Sequence, residues 1–384
     1  METVVVNRKA AGRVESGHPW IFTGDVVDRA GAQPGDAVLV AERNGRPLGT
    51  AHYSAASQIT LRMLSRKSVE VGIDFFRDRI IAALRQRQRT LLGATSYRLV
   101  HGEADFLPAL VIDRYGDYFT VQALDQGMDR ATALIVQVLT ELFAPAGIVA
   151  RNDAAVRSHE ELPREIKTLF GEIPEQVEIE LNGLRWQVSL EHGQKTGIYL
   201  DQRENYRAAA RYASGRALDC FTSSGGFALH LAQSCEHVEG IDSSAAAVAA
   251  ARANALRNDI RNAEFREADV FDVLANTGKR YGTIVLDPPA FTKSRGKVEA
   301  ALRGYKEINL RALKLLEPGG VLVTCSCSHH VSEAELFEVV AAASLDAGRT
   351  LRVLERRTQG PDHPVLLTVP ETHYLKCLIL QAAD

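Results

Sequence analysis

The run Leu286-Asp287-Pro288-Pro289-Ala290-Phe291 is followed by a helical segment and then by Pro318-Gly319-Gly320-Val321-Leu322-Val323-Thr324-Cys325-Ser326-Cys327-Ser328. Two apolar stretches, Thr283 to Leu286 and Val321 to Thr324, predict buried strands. An acid and two prolines end the first strand and stiffen its turn, and two cysteines end the second. Ligands of an open parallel sheet bind beyond the carboxyl ends of its strands. We therefore expect a carboxylate, a rigid turn and a thiol around one crevice.

From Arg216 onward, apolar strands alternate with helical segments. This alternation predicts an α/β fold with a doubly wound, Rossmann-like parallel sheet. Segments 351–354 and 373–380 are expected to add antiparallel edge strands. The predicted parallel strands are Ala217–Phe221, Val238–Asp242, Glu264–Glu267, Thr283–Leu286 and Val321–Thr324, with helices near 226–233, 244–257, 297–316 and 332–347.

The N-terminal 70 residues instead predict a compact all-β module of short strands separated by turns. A loop between the first two strands carries Arg8, Lys9, Arg13 and Trp20. Cations beside exposed aromatic rings are typical of surfaces that bind RNA. Trp20 could instead fill the interior of the module, and both interpretations stay open. The predicted strands are Val4–Asn7, Val38–Glu42, Leu48–Tyr53 and Ile59–Met63.

The region between these two parts predicts a helix over residues 73–92, several short strands and an amphipathic helix near 129–143. Asn182-Gly183 predicts a tight hairpin turn. A length of 384 residues fits two or three domains. We predict a β-barrel domain at 1–72, a central α+β domain at 73–185 and the Rossmann-like domain at 186–384.

Composition narrows the possible partners and the compartment. The net charge is only −3, but residues 1–100 carry fifteen Lys or Arg against nine Asp or Glu. An anionic partner could dock on this basic part, and a solvated arginine-rich helix explains the pattern equally well. Five cysteines and no apolar run near the ~18 residues of a membrane span predict a reduced, cytoplasmic protein without a membrane partner. The oligomeric state, a homodimer included, stays open.

Acidic residues at three predicted strand ends indicate a zwitterionic, adenosine-bearing ligand. Asp219 lies near the end of the first strand, before a loop of small residues, and that loop lacks the Gly-x-Gly-x-x-Gly pattern of dinucleotide sites. Asp219 suits the ammonium of an amino-acid moiety. Asp242 is placed to bind ribose hydroxyls, and Asp269 could accept a hydrogen bond from an adenine amino group. The ordered set favours S-adenosylmethionine, although each acid alone could be a helix cap.

Cys327 is the candidate nucleophile. Carbon 5 of a pyrimidine accepts a methyl group only after a thiolate has added at carbon 6. Cys327 lies further beyond the strand than Cys325, which we expect in the core. Asp287 could hold the polar edge of the base, and Phe291 could stack on it or belong to the core. A zinc site at Cys325, Cys327 and the following His329-His330 is disfavoured, because no second separated pair of ligands is present.

With these residues in view, the whole chain resembles the bacterial large-subunit ribosomal RNA methyltransferase I family, which are S-adenosylmethionine-dependent cytosine-5 methyltransferases with an N-terminal PUA domain. The most specific matches are the run Thr196-Gly197-Ile198-Tyr199-Leu200-Asp201-Gln202-Arg203 and the element Ser326-Cys327-Ser328. Further matches are His18-Pro19-Trp20-Ile21-Phe22, His101-Gly102-Glu103-Ala104-Asp105, Asp113-Arg114-Tyr115-Gly116-Asp117, Gly225-Gly226-Phe227, Asp287-Pro288-Pro289-x-Phe291 and Arg303-Gly304-Tyr305-Lys306.

The resemblance implies a PUA-like domain at 1–72, a methyltransferase domain at 186–384, large-subunit ribosomal RNA as partner, Cys327 as nucleophile and closure of Tyr199–Arg203 over the donor. Other RNA cytosine-5 methyltransferases have a second cysteine where this chain has Ala290, so a different base must remove the carbon-5 proton. No metal is expected. The resemblance and the acids at the strand ends together predict which residues contact the donor. These residues are Thr196, Tyr199, Asp201, Asp219, Phe221, Ser223, Gly225, Gly226, Asp242, Ser243, Asp269, Val270, Asp287 and Pro288.

Two other functions compete with cytosine-5 methylation. Asp287-Pro288-Pro289-x-Phe291 is also a natural pocket for an amino group of guanine or adenine, which would leave Cys327 without a catalytic role. A non-catalytic RNA-binding assembly factor is the second alternative. The acids retained at all three strand ends argue against this loss of catalysis.

Overall fold

The computed structural model of the chain describes residues 1–191, 193, 198–292 and 295–383. The chain divides into two compact units. The predicted boundary at residue 72 falls inside the first unit, and the three-domain division stays a prediction. Unit 1 comprises Met1–Ile179, Val188–Leu200 and Pro361–Thr372, and unit 2 comprises Glu180–Gln187, Asp201–Gly360 and His373–Asp384.

Unit 1 begins with a β module whose apolar residues alternate along the strands and fill its interior, among them Val4, Val6, Val38 and Val40. This period of two is what a sheet with one buried face requires. The elements are β1 (Thr3–Val6), α1 (Arg8–Glu15), β2 (Trp20–Phe22), β3 (Val26–Asp28), β4 (Ala37–Glu42), β5 (Pro47–Tyr53) and β6 (Ile59–Ser65). Among the residues described, the strands form one sheet in the order β2-β6-β5-β4-β1-β3.

Helix α1 replaces the loop that the sequence predicted after the first strand, so that prediction was wrong. Asn7 caps the helix, because its side chain accepts a hydrogen bond from the Ala10 amide at 2.9 Å. Ala10, Ala11 and Val14 are buried against the sheet. Eight residues are too few for a clear helical period, so tertiary packing stabilises this helix.

The remainder of unit 1 packs helices on a second sheet. Phe76 and Ile80 share one buried cluster with Ile135 and Leu139. The elements are α2 (Ile73–Thr90), β7 (Ser96–His101), β8 (Leu110–Tyr115), β9 (Tyr118–Ala123), α3 (Gln126–Arg130), α4 (Thr132–Phe143), β10 (Gly147–Asn152) and β11 (Glu165–Gly171). The described strands pair in the order β11-β10-β9-β8-β7. β11 has no buried residue, which is why its pattern was not recognised as a strand.

Strands β12 (Val177–Leu181) and β13 (Leu184–Val188) form the hairpin predicted at Asn182-Gly183. Both turn residues have positive φ, +55° for Asn182 and +78° for Gly183. Two consecutive positive φ values define the tight turn that Asn-Gly favours. The hairpin prediction is therefore confirmed.

Unit 2 contains the predicted Rossmann-like sheet. Its elements are α5 (Arg203–Tyr212), β14 (Arg216–Cys220), α6 (Gly226–Leu231), β15 (His237–Asp242), α7 (Ala245–Arg257), β16 (Ala263–Glu267), α8 (Val270–Asn276), β17 (Tyr281–Leu286), α9 (Val298–Leu315), β18 (Leu316–Ser326), α10 (Glu333–Asp346), β19 (Leu351–Arg357) and β20 (Lys376–Ala382). The described strands have the order β16-β15-β14-β17-β18-β20-β19. Strands β14 to β18 are parallel, and β20 is antiparallel to both β18 and β19.

One strand of this sheet lies where the sequence did not predict it. Of the two expected edge strands, only β19 is at an edge, whereas β20 lies between β18 and β19. Residues 376–380 are buried on both faces of the sheet, as an interior strand requires. No described helix is long and apolar enough to cross a membrane.

Unit 1 contains a buried ion pair whose loss should be costly. Arg87 is 1% exposed, and its guanidinium contacts both carboxylate oxygens of Asp105. Asp105→Ala should reduce the free energy of unfolding by about 3 kcal/mol, because it leaves a buried charge without a counterion. Asp346→Ala, which removes the half-exposed partner of Lys306, should change it by less than about 1 kcal/mol. Urea unfolding of the two variants measures the difference, and equal losses would contradict the prediction.

Candidate methyl-donor and nucleophile site

Main-chain pairing brings three strand ends of unit 2 together. Cys220 of β14 pairs with Leu286 of β17, and Leu286 pairs with Thr324 of β18. The Asp287 amide donates to the Cys220 carbonyl at 3.4 Å, so the Asp-Pro-Pro turn begins beside the end of β14. The order of successive strands reverses between β14 and β17, which is the position where open α/β sheets bind ligands.

Asp219 is the buried acid of this edge. Its Oδ2 accepts hydrogen bonds from the Thr222 hydroxyl at 2.6 Å and from the Ala228 amide at 2.9 Å. Burial, and to a smaller extent the charges of Asp287 and Asp242, raise the pKa of Asp219 to about 7 against the lowering effect of these hydrogen bonds. Its other oxygen, Oδ1, is buried without a hydrogen-bond partner among the described residues. The site therefore has an acceptor that a bound donor group can satisfy.

The loop after β14 has an unusual backbone. Phe221, Ser223 and Gly225 have φ values of +64°, +50° and +93°. Left-handed conformations are uncommon for non-glycine residues and concentrate at ligand sites. Gly226 has a different reason to be glycine, because a Cβ there would lie 2.5 Å from the Tyr206 ring. Its small size admits the ring, and its predicted donor contact stays a prediction.

Asp242 and Asp269 follow the next two strands. Asp242 is half-buried, and its two oxygens accept from the Ser223 and Ser244 amides, each at 2.9 Å. Asp269 is exposed and caps α8 by accepting from the Phe271 amide at 2.7 Å. The neighbouring Val270 and Ser243 differ, since the Val270 side chain is buried in the core and Ser243 is exposed. Donor contacts from these four residues stay predictions.

The two cysteines at the end of β18 lie in different environments. Cys325 pairs with Cys377 of β20 and is fully buried, and burial raises the pKa of its thiol well above the ordinary value. Cys327 lies beyond the last paired residue, Ser326, and is partly exposed. Its Sγ lies 4.0 Å from the Pro288 carbonyl oxygen. The expected contrast between a buried and an accessible cysteine is therefore present.

Lys376 is a residue of this edge that the sequence analysis missed. Its side chain is buried, and Nζ donates to the Ser328 carbonyl at 2.7 Å and the Tyr374 carbonyl at 2.9 Å. Burial lowers the pKa of Lys376 to about 8, while negative charge on Cys327 acts in the opposite direction. The sequence signal that could have identified Lys376 is a single lysine directly before the apolar residues 377–380.

The structure describes only part of the run Thr196–Arg203, the segment expected to close over the donor. Thr196 lies outside the described residues, and Tyr199 is half-buried in unit 1. In unit 2, Asp201 is buried and accepts from the Tyr374 hydroxyl at 2.7 Å. Gln202 belongs to the segment expected to close over the donor but was not among the predicted contact residues, and its Nε2 donates to Asp287 Oδ2 at 2.9 Å. This hydrogen bond orients the acid that follows β17.

Phe291 lies in an aromatic group with Tyr305. The ring centroids are 4.7 Å apart, and a Cβ on Gly304 would lie 3.2 Å from the Phe291 ring. The Tyr305 hydroxyl is 3.2 Å from Ser328 Oγ, next to Cys327. Phe291 packs on the core and remains half-buried, in agreement with the core interpretation. Its base contact stays a prediction.

The predicted RNA-binding residues of unit 1 have different charge environments. Lys9 and Arg13 both pair with Asp25, at 3.7 and 3.0 Å. Arg8 is exposed and has no ion pair within the described part of the chain. Trp20 is half-buried, and its indole Nε1 donates to Glu103 Oε1 at 2.8 Å. Asp25 thus neutralises part of the basic surface expected here.

Metal-ligating side chains do not cluster in the described ranges. No group of three or more His, Cys, Asp or Glu lies close enough there to hold an ion. Cys325 faces Cys377 across paired strands, which separates it from the zinc arrangement considered above.

Comparison with known proteins defines the class first. A PUA-like domain family matches residues 4–66, and an S-adenosylmethionine-dependent methyltransferase family matches residues 117–380. SMU.776, a candidate methyltransferase solved in complex with S-adenosylhomocysteine, has the same fold, with a TM-score of 0.84 at 20% identity over 99% of this chain and 100% of that one. The chain is an S-adenosylmethionine-dependent methyltransferase with a PUA-like domain.

Full-length relatives then give the family. The chain is 40% identical to ribosomal RNA large subunit methyltransferase I of Aeromonas salmonicida over 378 residues, 95% of each chain. It is 38% identical to the protein of the same name from Escherichia coli O127:H6 over 373 residues, 94% of each chain. The chain belongs to the ribosomal RNA large subunit methyltransferase I family, as the sequence motifs indicated.

The residues at the β14 edge fit S-adenosylmethionine. The donor carries an ammonium, ribose hydroxyls and an adenine, and it supplies a methyl group on a sulfonium. Asp219 offers the buried acceptor Oδ1, which has no hydrogen-bond partner among the described residues, and Asp242 offers a half-buried carboxylate. A carboxylate is the group that can hold an ammonium or a pair of hydroxyls. We assign Asp219 and Asp242 to donor binding as a proposal.

Asp219 should make folding stability depend on pH. Its pKa of about 7 in the folded chain exceeds the ordinary value of 3.8, so the folded chain retains the proton more strongly. Stability from this group is therefore complete below pH 4 and is lost as pH rises through 7. In Asp219→Asn this contribution should vanish. The free energy of unfolding should then fall less steeply with rising pH, by up to about 1.4 kcal/mol per pH unit.

Urea unfolding at pH 5, 6, 7 and 8 without donor measures this dependence. Asp272→Asn, on the exposed start of α8, is the matched control and should retain the wild-type slope. Added S-adenosylmethionine should stabilise the wild-type chain more than Asp219→Asn. Parallel pH curves for the wild type and Asp219→Asn would contradict the assignment.

Lys376 should increase the reactivity of Cys327. Its buried ammonium favours a nearby thiolate, and the thiolate is the form that reacts with alkylating agents. Lys376→Met should slow iodoacetamide alkylation of Cys327 roughly fivefold, as expected for an interaction on the order of 1 kcal/mol. The other four cysteines are buried, so peptide mass spectrometry of the folded protein follows Cys327. Lys376→Arg should retain the rate, and an unchanged rate in Lys376→Met would contradict the prediction.

Proposed function

We propose that this chain methylates carbon 5 of a cytosine in large-subunit ribosomal RNA through a covalent bond to Cys327. The observation that carries the proposal is the partly exposed Cys327 beyond β18, with Sγ 4.0 Å from the carbonyl oxygen of Pro288. The RNA substrate is taken from the names of relatives at about 40% identity. The PUA-like domain supports RNA binding, and a cytoplasmic location belongs to the same proposal.

The chemistry needs a thiolate because carbon 5 of cytosine is a poor nucleophile. Addition of Cys327 Sγ to carbon 6 forms a carbon–sulfur bond and moves an electron pair to carbon 5. Carbon 5 would then bond to the methyl group of bound S-adenosylmethionine as the sulfur–methyl bond breaks, which leaves S-adenosylhomocysteine. A base removes the carbon-5 proton, the 5,6 double bond forms again, and the carbon–sulfur bond breaks to release the thiolate. Lys376 would stabilise that thiolate before addition and after release.

Asp287 and its neighbours would hold the base during this reaction. Gln202 Nε2 donates to Oδ2 of Asp287, which fixes the orientation of the carboxylate. Asp287 is half-buried, and the turn that follows it is stiffened by Pro288 and Pro289. The polar edge of a cytosine could bind this carboxylate while its ring lies near Cys327. Ala290 stands where other RNA cytosine-5 methyltransferases have a second cysteine, so that position cannot remove the proton.

Methylation of an amino group on guanine or adenine is the competing function. The turn Asp287-Pro288-Pro289-Ala290-Phe291 supports it, because such a turn can bind an exocyclic amine without any cysteine. The two functions leave different products in the RNA. Nucleoside mass spectrometry distinguishes 5-methylcytidine from a methylated purine, and Cys327 is needed only for the first.

Replacement of Cys327 should abolish methylation. Cys327→Ala cannot add to carbon 6, so transfer to unmodified ribosomal RNA should fall at least about 10³-fold, the order expected when a nucleophile is removed. Labelled donor and nucleoside mass spectrometry measure the product. Cys325→Ala is the matched control, since Cys325 is buried beside Cys377, and it should retain cytosine methylation.

A trapping experiment tests the covalent step itself. RNA containing 5-fluorocytosine cannot lose a proton from carbon 5, so the Cys327 adduct should persist on a denaturing gel. No adduct should form with Cys327→Ala. Full activity of Cys327→Ala, or a methylated purine as the product, would contradict the proposal.

A further inference from the structure

A cleft of about 510 Å³ in unit 1 combines basic and aromatic side chains. We call it the basic cleft and define it by Arg66, Lys67, Arg79, Glu103 and Phe106 among its lining residues. This volume lies in the range of small-molecule sites and can hold one nucleotide. Arg79, Glu103 and Phe106 lie between the segments that match the two families, 4–66 and 117–380. The matches to the PUA-like and methyltransferase domain families therefore do not include them.

Arg79 is a half-buried cation without a carboxylate partner. Its Nη2 donates to the Leu64 carbonyl at 3.2 Å, and within the described ranges it forms no ion pair. Burial lowers the pKa of Arg79, and the charge of the nearby Asp78 only partly opposes this effect. A desolvated guanidinium at a cleft is stabilised when an anion binds there.

Phe106 is an exposed aromatic residue held in a strained backbone conformation. It is 52% exposed and has a φ of +58°, in the left-handed region that bulky residues rarely adopt. Its amide donates to the Glu103 carbonyl at 3.0 Å, which helps to maintain this turn. The Arg79 guanidinium lies 5.3 Å from the ring centroid. An exposed ring beside a cation is the arrangement on which an unpaired base stacks.

The remaining charges of the cleft favour an anion. Arg66 and Lys67 are exposed, and neither forms an ion pair in the part of the chain that the structure describes. Glu103 is the one carboxylate among the lining residues, and it accepts the hydrogen bond of the Trp20 indole at 2.8 Å. Three cations thus face one carboxylate that already has a partner.

We propose that the basic cleft binds an unpaired RNA nucleotide, with the base stacked on Phe106 and its phosphates facing Arg79, Arg66 and Lys67. This inference rests on the proposed function in one respect, that RNA is the substrate. It adds a second RNA contact in unit 1, and Lys67, Arg79 and Phe106 of that contact lie outside both domain-family matches. An unpaired nucleotide is favoured over an acidic peptide because it carries both a base and a phosphate. The base can stack on the Phe106 ring while the phosphate binds the neighbouring Arg79 guanidinium.

The experiment measures binding of a fluorescent oligouridine of about eight nucleotides by anisotropy, without methyl donor. Phe106→Ala should weaken binding roughly 5- to 100-fold, the range for loss of one stacked base, and leave the salt dependence unchanged. Arg79→Met should weaken binding and lower the slope of log K against log salt by about 0.7, the value for one phosphate contact on a single strand. The two substitutions therefore have different signatures.

Controls separate stacking from folding. Phe106→Trp should retain binding, since its larger ring also stacks, and thermal melting checks that each variant folds. Phe337→Ala is the matched control, because Phe337 is 39% exposed in unit 2 with the Arg356 guanidinium 6.0 Å from its ring, and binding should not change.

Two results would overturn the inference. One is unchanged affinity in both Phe106→Ala and Arg79→Met. The other is equal competition by oligoglutamate in the wild type and in Phe106→Ala, which would indicate a protein partner. Because oligouridine contains no cytosine and the assay contains no donor, its outcome does not depend on whether Cys327 catalyses methylation.

Discussion

The pairing of β17 with β14 on one side and β18 on the other is the constraint on which the candidate site depends. Parallel strands end at the same edge of a sheet, so the register that joins Cys220, Leu286 and Thr324 also brings together the segments that follow them. Asp287 and Cys327 are 40 positions apart in the chain but belong to adjacent strand ends. A shift of one residue in β18 would turn its buried side chains to the opposite face.

Charge at this edge is arranged unevenly. Three carboxylates, Asp219, Asp242 and Asp287, lie near enough for the latter two to raise the pKa of the first. Lys376 brings a buried ammonium to the part of the edge that holds Cys327. A donor with an ammonium group suits the carboxylate part, and a thiolate suits the part beside the lysine. The electrostatics therefore support the proposed division of roles, with the donor at the end of β14 and the nucleophile at the end of β18.

Unit 1 contains two kinds of cation: arginines that form buried ion pairs, and a cation that can bind a ligand. Arg87 is buried and paired with both oxygens of Asp105, and Arg62 is likewise buried with Glu160 at 2.8 Å. Buried pairs of this kind hold elements together, and breaking one is costly. Arg79 differs because it is half-buried, without a carboxylate partner among the described residues, and beside the exposed ring of Phe106. This contrast is the physical basis for assigning ligand binding to the basic cleft.

Local sequence determined the parallel strands of unit 2, the Asn182-Gly183 turn and the strand ends that carry Asp287 and Cys327, because apolar period, proline and turn residues act over a few neighbouring positions. The sequence also carried the family resemblance. Only the tertiary structure decided that β20 lies inside the sheet with Lys376 near Cys327, and that Gln202 bonds to Asp287 across 85 positions. Partner choice between strands and burial of polar groups depend on the packing of distant segments, which no short window of sequence contains.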